Sequence, residues 1–153
     1  MFYAGSLLFV LPFWLLMIGL PGWRGTRYLL SSSLVLAPLP ALYAILVVVF
    51  WRDLVALFAN PTLPVLTDIL GQPRGATICW VHLLAFDFFV GRWQYLDSQE
   101  RGFSPLAMAP VMWATFLVGP FGLLLYLGLC AASGRPTDPK NGENQAISGQ
   151  IRN

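Results

Sequence analysis

Four stretches of the chain stay apolar long enough to cross a bilayer, and short polar patches separate them. The first, Phe2 to Leu20, has no charged side chain and stops at Pro21-Gly22. The second, about Tyr28 to Trp51, carries Pro38 and Pro40 in its middle, where each proline removes a backbone donor and predicts a kink. The third covers about Ala76 to Val90. The fourth, about Pro105 to Cys130, opens on Ser104-Pro105, an N-cap followed by proline at the first helical position, and is broken at Gly119-Pro120. A crossing needs roughly 20 predominantly apolar residues, so the pattern predicts an all-α fold, a four-transmembrane-helix bundle. Pro12 adds a third proline-bearing helix, and kinked helices leave internal space. The first run lacks a basic flank and a small-residue cleavage site, so it reads as a retained helix and not a signal peptide.

Between the second and third spans, Asp53 to Gly75 holds two apolar pieces too short to cross, with Leu63, Leu66, Ile69 and Leu70 near one helical face. That spacing predicts an interfacial or re-entrant segment. From Ala132 the chain turns polar, in SGRPTDPKNGENQ, so residues 1–131 read as one membrane domain and 132–153 as a disordered tail. The chain contains no internal repeat, no Gly-rich phosphate loop and no paired carboxylates of a soluble enzyme.

Composition agrees with the pattern, since 57% of the residues are hydrophobic and 10% charged. A net charge of +2, with no Lys/Arg block longer than a pair, excludes nucleic acid as a partner. Four crossings would set Arg24, Arg27, Arg92 and Arg101 against Arg52, Arg74, Arg135, Lys140 and Arg152, near parity, which leaves the orientation open.

Candidate chemistry collects in the third span, WVHLLAFDFFVGRW, which holds His82, Asp87 and Arg92. A charge at mid-bilayer costs about 2.5 to 3.5 kcal/mol on insertion scales. Arg92 lies at the end of the span and can reach headgroups, whereas Asp87 is short and a turn or more inside. On a helix, Trp80, Leu84, Asp87 and Gly91 fall on one narrow stripe where another backbone could come close. His82 lies about 140° from Asp87, so a site using both needs two neighbouring helices or a local distortion. Phe86, Phe89 and Trp93 continue the His82 stripe. A purely structural role stands beside the functional one: Asp87 bonded to backbone donors near a neighbouring proline or paired with Arg92, and His82 a satisfied core residue. Asp53, Asp68, Asp97, Glu100 and Arg101 read as solvated charges at the membrane edges.

The same residues carry a resemblance. W-V-H-L-L-x-x-D-x-F-x-x-R-x-x-Y, from Trp80 to Tyr95, resembles the pattern of the neoxanthin synthase family, the plant abscisic-acid-deficient-four family of small four-span membrane proteins. Leu11, Pro12, Leu16, Met17, Ile18 and Pro21 resemble its opening, and Pro120 and Gly122 its last span, over roughly residues 8–130. The resemblance implies conversion of a 5,6-epoxy carotenoid to an allene, an isomerisation without redox change or cofactor. One acid at the epoxide oxygen and one base at the vinylic hydrogen suffice for it. His82 and Asp87 are the implied pair, Arg92 would orient the carboxylate, and Trp80, Phe86, Phe89, Trp93 and Tyr95 would contact the polyene. A carotenoid or other lipophilic molecule, membrane lipid and other membrane proteins are the implied partners. With no transit peptide ahead of the first span, the expected location is the inner or thylakoid membrane of a prokaryotic photosynthetic host.

A non-catalytic pigment binder or assembly factor of a photosynthetic complex is the alternative. Haem and metal redox chemistry fit poorly, because the chain has one histidine, and Cys79 and Cys130 lack metal-site spacing. In an antiparallel helix pair those two cysteines would share a membrane surface, yet both are expected as free apolar fillers.

Overall fold

The computed structural model describes residues 2–134, and every described element is helical. Helix α1 spans Phe2–Gly19, α2 Arg24–Ser31, α3 Pro38–Val49, α4 Trp51–Ala59, α5 Leu63–Gly71, α6 Pro73–Glu100 and α7 Pro105–Ser133, with a 3-10 turn at Ser33–Leu36. The tail expected from Ala132 lies, beyond Gly134, outside the described residues.

Helix α6 is the spine against which α1, α3, α5 and α7 pack. Ring contacts fix the direction of α1: Tyr3 stacks on Trp80 at 4.7 Å and Phe13 on Phe88 at 5.2 Å, while the Tyr95 hydroxyl donates to Pro21 O at 2.8 Å. Helix α1 therefore runs parallel to α6. Helix α3 runs antiparallel, since Arg92 meets Leu30 and Ser31, Tyr43 meets His82, and Arg74 lies over Phe50. The close approach of α1 depends on Gly91, where a Cβ would overlap the indole of buried Trp14.

The second expected span is broken. Pro38 begins α3 at the first helical position, where its missing N–H costs nothing, and the chain bends by 75° between α2 and α3. Its two prolines thus start a helix and do not kink one. Helices α4 and α5 are the two short apolar pieces expected between the second and third spans.

Helix α7 departs furthest from the four-span expectation. Ser104 caps it, accepting from Ala107 N at 3.2 Å. Its backbone leaves helical geometry at Val118 (φ −140°, ψ 42°) and Gly119 (φ 8°, ψ −79°), just before Pro120. Gly119 abuts Asp87, whereas Tyr126 bonds back to Asp97 and sits 6.3 Å from the Phe103 ring at the helix entrance. The second leg therefore returns along the first, and Gly122 is packed so closely on Thr115 that a Cβ there would overlap its backbone. Each leg is only about 20 Å long at 1.5 Å per residue.

By length and composition, one helix among the described residues, Pro105–Ser133, is able to cross a membrane, or two if the bent pair Arg24–Ser31 and Ser33–Val49 counts as one. The expected four are not met: α1 is short, His82, Asp87 and Arg92 lower the apolarity of α6, and α7 folds back. Large apolar side chains nonetheless face outward, with Leu8, Val48, Phe58 and Leu106 more than two-thirds exposed, as a lipid-facing surface requires. The reversal also moves Cys130 to the Arg101 end of α6, opposite Cys79, and both thiols are free.

Gly91→Ala should lower stability by about 1 to 3 kcal/mol, because a methyl must displace a packed indole. Gly128→Ala, with open space at its Cβ, should be neutral or slightly stabilising. Thermal unfolding in detergent compares the two; equal effects would contradict the Gly91–Trp14 contact.

Candidate functional site

Two faces of α6 carry its polar residues, as the 140° separation of His82 and Asp87 requires. On the inner face Asp87 is half-buried with its carboxylate against Gly119. It therefore lies at the N-terminus of the second leg of α7, where the first amide N–H groups have no partner within that leg and the helix dipole favours an anion. No hydrogen bond or ion pair to Asp87 is present among the described residues. Arg92, the expected partner of Asp87, turns away: its Nε donates to Leu30 O at 2.6 Å and its Nη2 to Ser31 O at 3.1 Å. A cation on the last carbonyls of α2 is stabilising there. Its position therefore fits a clamp on α2 better than an orienter of the carboxylate.

About two and three turns beyond Asp87, the inner face holds residues that the sequence pattern misassigned or passed over. Gln94 and Thr115 are fully buried, with Thr115 Oγ1 at 2.8 Å from Gln94 Oε1 and 2.9 Å from Val111 O. The hydroxyl has one proton; given to Val111 O, it leaves Oγ1 free to accept from the Gln94 amide turned over, which satisfies the otherwise unpaired Nε2. Asp97 is no solvated edge charge: it accepts from the Tyr126 hydroxyl and, at 2.6 Å, from Arg101 Nε, whose side chain is only 9% exposed. That bond holds the Arg101 guanidinium above its ordinary range. The i, i+4 spacing of Asp97 and Arg101, in register with Asp87 and Gln94 every seven residues, was the available signal.

On the outer face His82 is exposed, its ring 5.2 Å from Tyr43 and 4.8 Å from Phe86. It lines an apolar cavity of about 250 Å³ where α3, α4, α5 and α6 meet, shared with Tyr43, Asp53, Leu57, Leu66 and Cys79. Asp53 stands in the first turn of α4, 3.8 Å from the Arg74 guanidinium. A second concavity of about 210 Å³ opens sideways between α3 and α6, lined by Pro40, Ala85, Phe86 and Phe89. Phe86, in ring contact with His82, lines this groove.

The expected polyene contacts thus divide. Phe86 and Phe89 line the lateral groove. Trp93 is half-exposed and lies edge-on to Tyr126 at 5.4 Å. Trp80 stacks under Tyr3, with its indole N–H buried and unpaired. Tyr95 is buried and tied to Pro21, which fastens α6 to the α1–α2 turn. Among the described residues no group of three His, Cys, Asp or Glu side chains could hold a metal.

A double-mutant cycle isolates the contact at the α7 break. Gly119→Ala should destabilise the wild type by about 1 to 3 kcal/mol, and less so when Asp87→Ala has removed the carboxylate, with a coupling of about 0.5 to 3 kcal/mol. Additive effects would contradict a direct contact.

The family model described as ABA DEFICIENT 4-like matches residues 1–126. No curated protein and no solved structure matches the chain.

Proposed function

Because the chain belongs to the ABA DEFICIENT 4-like family, we propose that it is a multi-pass membrane protein that isomerises a carotenoid end group, opening a ring epoxide to an allenic alcohol. The supporting observation is that His82 and Asp53 line one apolar cavity, and that Phe86, in ring contact with His82, lines an apolar groove between α3 and α6. In this reading α1, the α2–α3 pair and α6 cross the membrane, and α7 re-enters it.

The polyene lies along Phe86, Phe89 and Pro40, and its ring end group occupies the cavity. His82, as imidazolium, gives its proton to the epoxide oxygen as the ring carbon–oxygen bond breaks, which leaves a hydroxyl. Asp53 takes the hydrogen from the adjacent vinylic carbon, and that electron pair forms the allene. One proton is given and one taken, so no oxidant, reductant or cofactor is consumed. Transfer of the proton from Asp53 back to His82 resets the pair. The Arg74 guanidinium stands 3.8 Å from the Asp53 carboxylate. Asp87 and Arg92, implied as catalytic by the family resemblance, are here structural: one meets the break in α7, the other caps α2.

A host that accumulates the epoxy carotenoid tests this. Pigment chromatography should show the allenic product with wild type, and about 10² to 10⁴-fold less product per protein with His82→Gln or Asp53→Asn. Asp87→Asn should lower protein level while turnover per protein stays near wild type. Full turnover in His82→Gln, with pigment still bound, would replace the isomerase by a pigment-binding protein.

A further inference from the structure

The described arginines divide unequally between the two ends of the molecule. Arg24, Arg27, Arg92 and Arg101 stand at the end of α6 where α1 finishes. Gly134 closes the returning leg of α7 at this same end, four residues past Cys130, which interacts with Arg101. Among the described residues, Arg52 and Arg74 belong to the other end. Four described arginines at this end stand against two at the other, which by the positive-inside rule puts this end toward the cytoplasmic leaflet, the anionic one.

At that end α2 lies 75° off α3 and presents two unlike faces. Thr26 and Leu30 are buried, with Thr26 Oγ1 donating to Leu20 O at 3.0 Å. Arg24, Arg27, Tyr28 and Ser31, spaced by three and four residues, line a concavity of about 390 Å³ on the other face. Among the described residues the ion pairs are Arg74–Asp53 and Arg101–Asp97, so Arg24 and Arg27 have no acidic partner. Arg92 fixes the last turn of α2 through Leu30 O and Ser31 O, which orders the site from below. Ser31 Oγ donates to Tyr28 O and contributes no free proton.

We propose that this face of α2 is a binding site for the phosphate of an anionic phospholipid headgroup, held by the Arg24 and Arg27 guanidinium groups and the Tyr28 hydroxyl. Two guanidinium forks match the phosphate oxygens, and the Tyr28 side chain beside them is 84% exposed. The site is independent of the carotenoid chemistry and rests only on the membrane placement.

Native mass spectrometry of protein released from nanodiscs of phosphatidylcholine with a minor fraction of phosphatidylglycerol tests it. Wild type should retain phosphatidylglycerol in preference to phosphatidylcholine. Arg24→Gln/Arg27→Gln should retain about thirtyfold less, since each basic group at an anionic surface contributes a factor of about five. Arg52→Gln, at the other end, should retain as much as wild type, and circular dichroism should find all three equally helical. Equal retention by wild type and the double variant would overturn the site. Displacement of the lipid by inorganic phosphate would leave the headgroup phosphate as the recognised group, whereas phosphate binding without lipid retention would make this a soluble-anion site and overturn the proposal. Failure of wild type to enter nanodiscs would remove the membrane placement and the site with it.

Discussion

A carboxylate inside an apolar helix and a helix broken in the same apolar layer are each unfavourable alone, and in this protein they meet. Asp87 brings a half-buried carboxylate whose charge is costly to take out of water. The Val118–Gly119 break brings amide groups at the start of a new helix without partners inside it. Gly119 has no side chain, so the carboxylate comes against the backbone at the break, where the dipole of the second leg favours an anion. The remainder of the α6–α7 packing follows: Gly122 on Thr115, Thr115 on Gln94, and Tyr126 with Arg101 on Asp97.

This arrangement divides α6 between two tasks. Its inner face is used up holding α1 and both legs of α7, through Gly91, Gln94, Tyr95, Asp97 and Arg101. Its outer face is left with His82, Phe86 and Phe89 beside α3, open to cavity and groove. Asp87 and Arg92, which look most chemical by depth, meet the break in α7 and the end of α2. The proton-transfer pair assigned to the outer face draws its second member, Asp53, from the short helix α4.

Much of the local structure is legible in the chain. Ser104-Pro105 starts α7, Gly119-Pro120 breaks it, and the two short apolar pieces after Asp53 become α4 and α5. Helical periodicity places Asp87 and His82 on different faces. What it does not carry is direction after a break: proline and glycine mark where a helix stops and leave the angle of departure to tertiary contacts, here Tyr126 with Asp97. The same limit hides the partners of Arg92, some 60 residues away in sequence on α2, and sets Cys79 and Cys130 at opposite ends of α6. Asp97 and Arg101 look like edge charges because nothing local shows that a returning leg covers them.

The return of α7 is tested most directly by a spin-label distance between Leu106→Cys and Ser133→Cys, both exposed, in a background of Cys79→Ser and Cys130→Ala. A straight helix would hold these positions about 40 Å apart at 1.5 Å per residue. The reversal at Gly119 predicts a distance far below that, with both labels reached by an impermeant reductant from one side of the membrane. A distribution centred near 40 Å, with the labels on opposite sides, would contradict the account.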